Sequence, residues 1–163
     1  MPARPHSSDY FHVFRFHVID EGDGTLNPVA GFSACTMPEI TVEAAEYKEG
    51  IWTYKRKSPG IPAFNDITLT QGIVKGRTQF WDWIKSVQKG EDYRRNITIL
   101  VFHRTDVVSK DNYAQSNASF KVHLTDAFPI RVKAGLDLDG NTSDIMVSEM
   151  DLAYENAEME NPE

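Results

Sequence analysis

Short runs in which apolar and polar residues alternate with period two constrain this chain more than any other feature, because half-buried strands have that repeat. It is clearest where Ile67, Leu69 and Gln71 alternate with Thr68 and Thr70. It recurs at Ile97, Ile99 and Val101, and where Phe120, Val122 and Leu124 alternate with Ser119, Lys121 and His123. Residues 39–48, EITVEAAEYK, set Ile40, Val42 and Ala44 against Glu43 and Tyr47. The run from Tyr10 to Asp20 differs, since Tyr10, Phe14, Phe16 and Val18 load one face while Phe11, Val13 and Ile19 load the other. Such a strand is either sandwiched or covered by another subunit. In DIMVSEMDLAYE the apolar phase moves from Ile145 and Val147 to Met150, Leu152 and Tyr154. That slip predicts a bulge or a change of face near Ser148.

Turn chemistry separates these runs at Gly22-Asp23-Gly24, Asn27-Pro28, Ser58-Pro59-Gly60, Lys89-Gly90 and Asp139-Gly140-Asn141. Two gaps exceed what a hairpin needs: Glu49 to Asn65, and the polar stretch Thr105 to Asn117, which reads as a mobile surface loop. Within this β background FWDWIKSV, residues 80–87, is the one strong helix. Phe80, Trp83, Ile84 and Val87 fall at i, i+3, i+4 and i+7 and form one apolar face. Thr78 suits the N-cap, Asp82 the first turns, and Lys85 and Lys89 the C-terminal end before Gly90. The expected fold is mainly β: a barrel or sandwich of antiparallel strands with one short flanking α-helix at about 78–89. Phe80, Trp83, Ile84 and Val87 close one end or flank of its core, and Trp81 sits at a rim or meets a neighbour.

With 163 residues, 40% apolar and 25% charged, one domain spanning 1–163 is the expectation, with residues 1–8 as an N-terminal extension and 157–163 as an acidic, partly frayed tail. The single Cys35 excludes an internal disulfide framework and a multi-cysteine zinc site, and reads as a small buried hydrophobe. No apolar run approaches the roughly 20 residues that cross a bilayer, and the N-terminus lacks a secretory pattern, so a chain made and at least initially kept in a cytosol is expected. Asn96, Asn117 and Asn141 in N-x-S/T triplets are then chance matches. Net charge is -7 but uneven: no Lys or Arg follows Lys133, and nine carboxylates do. This asymmetry reads as a solvated terminus or as a surface that meets a basic partner.

The chemistry of catalysis is missing from the pattern. His6, His12, His17, His103 and His123 form no HxH or HxxxH pair, and no G-x-S-x-G, P-loop or G-x-G-x-x-G occurs. DLDGNTSD, residues 137–144, resembles a calcium loop, but its glycine is misplaced and position 12 is Ser148, so an acidic turn is the better reading. Lys55-Arg56-Lys57 with Trp52 and Tyr54, and Arg94-Arg95, are weak signals for nucleic acid in an acidic protein. No catalytic, cofactor or metal residue is assigned, and an interaction or structural role is favoured over an enzyme.

Five segments in order resemble the inner-tube proteins of contractile phage tails and phage-like extracellular contractile injection systems. They are GFSACTMPEITVEAAEYKEG (31–50), KRKSPGIPAFNDITLTQGIV (55–74), FWDWIKSV (80–87), RRNITILVF (94–102) and DAFPIRVKAGLDLDGNTSDIMVSEMDLAYEN (126–156). The departures are SACTMPE, where the family usually has a glycine-containing turn, and the longer connection at 103–118. The resemblance implies a tail-tube domain whose six copies join sheet edges into a ring, with rings stacking into a hollow tube. It implies a long loop reaching the adjacent ring, here Tyr47 to Phe64, with Tyr47, Gly50, Trp52, Tyr54, Lys55, Arg56, Lys57, Pro59, Gly60 and Phe64 as contacts. Phe11, Val13, Phe14 and Phe16 would lie on the subunit-interface strand. Implied partners are further copies of the chain, a sheath, baseplate and spike proteins and cargo in the lumen, with no cofactor and no membrane insertion by this chain alone. The particle is a phage tail, an extracellular injection system or a type VI-like tube, assembled in a bacterial cytoplasm and in some cases released. The competing reading is a monomeric β-sandwich module that binds carbohydrate or another ligand on Trp52, Tyr54 or Trp81. A small β-barrel enzyme is the third.

Overall fold

The computed structural model describes residues 10–21, 32–103, 106 and 118–161. Its strands are β1 (Phe16–Asp20), β2 (Phe32–Cys35), β3 (Ile40–Tyr47), β4 (Arg56–Phe64), β5 (Ile67–Gly72), β6 (Arg95–Val101), β7 (Phe120–Lys133), β8 (Val147–Ala153) and β9 (Asn156–Glu160), with one helix, α1 (Gln79–Lys89), before β6. All pairings among them are antiparallel.

The 14-residue β7 organises the body because it belongs to two sheets. Its first half lies between β6 and β9, with Val122 opposite both Ile99 and Met159. Its second half, Phe128 to Lys133, pairs with β8. The bend falls at Asp126, a non-glycine residue at φ 54 whose backbone N–H donates to Asn96 Oδ1 at 3.2 Å. Pro129 is tolerated just beyond it, where β6 no longer runs alongside and a missing N–H leaves no ladder bond unmade on that side. β8 and β9 bend at the matching place, and Glu155 N–H donates to Thr125 O at 3.0 Å. One layer is therefore β1-β6-β7-β9 and the other β7-β8-β5-β2. Between them lie Val18, Ile97, Ile99, Val122 and Leu124 against Ile67, Leu69, Met150 and Leu152, all buried.

The phase slip expected near Ser148 takes a different form. β8 keeps one register against β5 from Val147 to Leu152; the register shift lies in β7, between Pro129 and Arg131, and the change of layer comes after Ala153. Ile145 precedes the strand and is exposed. The expected acidic tail is also partly strand, because β9 pairs with Lys121–Thr125 of β7. Residues 162–163 and the expected extension at 1–8 lie outside the described residues, as do most of Thr105 to Asn117 and the turns at 22–28. The expected strand from Tyr10 is shorter than its pattern: only Phe16–Asp20 pairs, against Ile97–Val101. Its two apolar faces are both used. Val18 joins the main core, and Ile19 joins a second cluster with Leu100, Phe102 and Ala118 on the far side of the sheet.

The helix forms where its pattern predicts. Gly90 at φ 74 ends it, its N–H bonding Ser86 O and Val87 O, a left-handed stop that glycine adopts without a Cβ clash. Thr78 is the N-cap residue, although its hydroxyl donates to the Asp82 carboxylate at 2.8 Å instead of accepting a helix N–H. Phe80 stacks on Phe32 with centroids 5.9 Å apart. Trp83, 1% exposed, donates its indole N–H to Tyr93 O at 2.7 Å and lies beneath the Arg95 guanidinium. Ile84 and Val87 are half-buried on the same side, and Trp81 is exposed beside Lys85. Each large side chain so buried contributes on the order of 2 to 3 kcal/mol.

Charges segregated along the chain meet in space. Nine carboxylates follow Lys133, and among the described residues five of them have basic partners at or before it: Asp137 with Lys133, Glu149 and Asp151 with Arg131, Glu155 with Arg94, and Glu160 with His123. On the outer face of the second layer, the Arg131 hydrogen bonds chiefly hold Asp151 below the usual carboxylate range, against burial and with help from Thr68.

Two outcomes are expected. Trp83→Ala should cost about 3 to 5 kcal/mol in chemical denaturation, since the cavity lies where a rigid helix meets two sheets; an unchanged midpoint would show that α1 does not seal the core. Because Asp151 has a lower pKa folded than unfolded, its contribution is full above the ordinary carboxylate value of about 3.9 and is lost as pH falls through the depressed one. Asp151→Asn should therefore lower stability at neutral pH and reduce the loss on acidification, measured by urea midpoints across the acid limb.

Candidate assembly surfaces

The gap expected as a long loop from Tyr47 to Phe64 is largely one leg of a hairpin. β3 and β4 pair from Ile40 opposite Phe64 to Tyr47 opposite Arg56. Ser58-Pro59-Gly60, expected as a turn, sits inside β4 at a bulge. There a Cβ on Gly60 would meet Glu43 O at 2.6 Å, so only glycine lets the strands approach. Pro59 and Pro62 are accommodated because β4 has a single partner strand. Every residue of β3 is exposed, as is all of β4 except its two ends. The Asn65 N–H to Glu39 O bond at 3.0 Å closes the base of the ladder, and the Phe64–Tyr154 ring contact at 5.5 Å ties that base to the body. Beyond that base, among the described elements, extensive contacts of the hairpin run only between its two strands. A lone two-stranded ribbon is marginal in water, and this one exposes Ile40, Val42, Tyr47, Ile51, Tyr54 and Ile61. Its chemistry is that of a surface awaiting cover.

The tip is braced from within. Trp52 donates its backbone N–H to Glu49 O and its indole N–H to the Glu49 carboxylate, both at 3.1 Å. Arg56 lies over the Trp52 ring at 4.8 Å and 3.8 Å from Glu49, and Lys55 pairs with Glu46 at 3.5 Å. Two of the three cations in the basic cluster thus have partners on their own hairpin. With Arg56 on its face and Tyr54 5.6 Å away, Trp52 is poorly placed as a flat sugar platform.

A second surface lies where the described residues leave a gap between the layers. α1 fills the gap between layers at the Arg95 end of β6, whereas at the Val101 end two hollows of about 460 and 270 Å³ share Met37 and Phe120. Phe11, Val13 and Phe16 of the expected interface strand line the larger one, together with Ala34, Cys35 and Val101. Phe11 packs against Phe120 and His103 with centroids 5.9 and 5.3 Å away, while Phe14 is exposed outside the hollow and Val13 is 92% exposed. Burial pushes the Cys35 thiol up to about 12, so it is no thiolate nucleophile at neutral pH. Sequence reasoning did not single out Ala34, Met37 or Phe120 as surface residues. Phe120 was read as core, and the broken alternation of SACTMPE was the available signal for the other two.

Elsewhere the polar groups brace structure. Asp106 accepts the N–H of His103 and both the N–H and hydroxyl of Ser119; burial pushes its carboxyl up, but these bonds together hold it below its ordinary value. His123 lies between Glu21 and Glu160, and Asp139 accepts the Asn141 N–H in an acidic turn. Among the described residues no group of three or more His, Cys, Asp or Glu is placed to hold a metal ion. Nor, among them, is any helix long and apolar enough to cross a membrane.

The comparisons agree in kind. Residues 12–158 match the family model described as T4-like virus tail tube protein gp19. A chain from the sheath/tube terminator of PVC, an extracellular contractile injection system in the extended state, is 25% identical, with 94% of this chain and 99% of that one covered at a TM-score of 0.72. A chain of the PVC sheath-tube complex is 24% identical over 95% of this chain and 94% of that one, with a TM-score of 0.74. The anti-feeding prophage tube-terminating cap gives 19% identity, coverage of 94% and 93%, and a TM-score of 0.75. A search of curated proteins finds no significant match.

Gly60→Ala should loosen the hairpin alone, because the neighbouring atom is backbone and cannot swing aside. Faster hydrogen exchange confined to residues 40–64 with an unchanged global melting temperature is the expected result; equal exchange would show that the bulge relaxes freely.

Proposed function

This chain belongs to the T4-like virus tail tube protein gp19 family, and from that premise we propose how it builds the inner tube of a contractile injection system or contractile phage tail. Copies join into six-membered rings, and the rings stack head to tail into a hollow conduit. The β3–β4 hairpin is the observation that carries this: an exposed apolar ribbon on which, beyond its base, no other described element packs extensively, and whose cover is a neighbouring copy. It spans the residues expected to reach the adjacent ring. A contact between unlike surfaces repeats without closing, which is how a filament grows.

Synthesis in a bacterial cytoplasm is followed by assembly with a sheath around the tube and a baseplate and spike at its end, and the lumen takes cargo. The chain performs no catalysis; its work is to hold a channel open while the sheath contracts. In the ring, sheet edges at β1, β2 and β9 are covered by neighbours, which removes an aggregation liability.

Negative-stain micrographs of the purified protein, with mass by light scattering, test the reading: six-fold rings or stacked tubes are expected, and a monomer at every concentration, even with baseplate components present, would refute it. Within it, reversing Lys55, Arg56 and Lys57 to Glu should shorten tubes and spare rings, since the hairpin tip would lose its net positive charge. Unchanged tube lengths would place the stacking contact elsewhere.

A further inference from the structure

We propose that the hollow at the start of α1 binds a carboxylate, with the Arg77 guanidinium as its anchoring cation. The hollow, of about 180 Å³, is lined by the first turn of α1, the end of β5 and Val132 of β7. Arg77 lines it and is half-buried, yet its Nη1 is closed off from solvent and has no hydrogen-bond partner. Among the described residues its side chain forms no ion pair and no ring contact. A guanidinium withdrawn from water is costly unless a counter-charge or an acceptor meets it. Arg95 meets that need with Asp20 at 3.3 Å, and Arg15 with the His103 carbonyl at 3.1 Å. Arg77 has no equivalent.

The surroundings strengthen the demand for an anion. Arg77 stands directly before Thr78, the N-cap of the eleven-residue α1, and no side chain caps that helix because the Thr78 hydroxyl donates to Asp82 instead. A helix start favours negative charge and opposes the cation placed there. No carboxylate is among the described residues lining the hollow, whose polar groups besides Arg77 are the amides of Gln71 and Gln79 and the hydroxyls of Thr78 and Ser148. Much of the remaining lining is apolar, and Ile73, Val74 and Trp81 are partly exposed there. That lining selects among anions. One cation balances one negative charge, so a dianionic phosphate would bring a surplus into apolar surroundings, and chloride cannot use the fork of a guanidinium. A planar carboxylate accepts two parallel N–H bonds from that fork and sets an apolar stem against the lining. The stem belongs either to a free aliphatic acid or to an acidic side chain of a neighbouring chain.

Butyrate is the probe, with butanamide as its uncharged counterpart and inorganic phosphate as the rival anion, all at one ionic strength set with sodium chloride. The Trp81 indole N–H signal, assigned with W81F, is followed by NMR in dilute, unassembled full-length protein. The expected result is a saturable shift with butyrate and none with butanamide. R77Q should weaken butyrate binding roughly tenfold or more, whereas K75Q, which removes an exposed charge outside the lining, should leave it unchanged. Because the Arg77 side chain has no partner to lose, the urea midpoint of R77Q should equal or exceed that of the wild type. Butyrate binding that survives R77Q, phosphate binding as tight as butyrate, or an R77Q midpoint clearly below wild type each overturn the proposal. Sedimentation of assembled tubes with radiolabelled butyrate then separates the two sources: label that travels with wild-type tubes and not with R77Q tubes identifies a free acid, and label excluded from both identifies an acidic side chain of a neighbouring chain. Failure to form tubes bears on the tube reading and leaves the binding result in dilute protein standing.

Discussion

Two adjacent layers share one strand, and the rest of the structure depends on that sharing. β7 pairs with β6 and β9 before Asp126 and with β8 after Pro129, so the inward faces of both layers are fixed by the bend of a single backbone. A slip of one residue in β7 would turn core residues outward in both layers at once. The bonds at the corner, Asn96 to Asp126 and Thr125 to Glu155, tie the bend of β7 to that of β8 and β9.

The same pairing explains an oddity of the chain. Acidic residues collect in its last 30 positions and bases lie earlier, yet five of the acids reach bases across or beside β7. Antiparallel pairing of late strands on a middle strand converts a gradient along the sequence into local pairs. These are mostly exposed and individually weak, so their larger effect is on which strand lies beside which. The acidic C-terminal third is therefore less available as one stacking surface than its composition suggests.

How much could be read beforehand follows from what alternation reports. β5, β6 and the first half of β7 have one face in the core, and their pattern places them directly. α1 was legible to its caps because Phe80, Trp83, Ile84 and Val87 fit one helical face and Gly90 stops it. The β3–β4 hairpin was legible on one side only: β3 alternates, whereas β4 contains SPGIP, a string that is turn chemistry everywhere except at a bulge with a single strand partner. The Tyr10 to Arg15 segment has strand composition without a strand, because apolar Phe11 and Val13 line the larger hollow and ladder pairing begins at Phe16. The residues lining the larger hollow come from four separate parts of the chain. Only the bend in β7 brings them together, and no local pattern records it.

The hairpin base has one more consequence. Both legs of the arm are covalently continuous with the body, β3 through residues 36–39 and β4 through Asn65 and Asp66. Tension applied at the tip therefore runs down two backbones in parallel, and the interstrand hydrogen bonds carry little of it. The load enters beside β2 and β5, which are neighbours in one layer, and spreads across that layer through β8 and the bent β7. An arm built this way yields by bending at its narrow root long before it unzips, as a strap does when it is sewn at both edges.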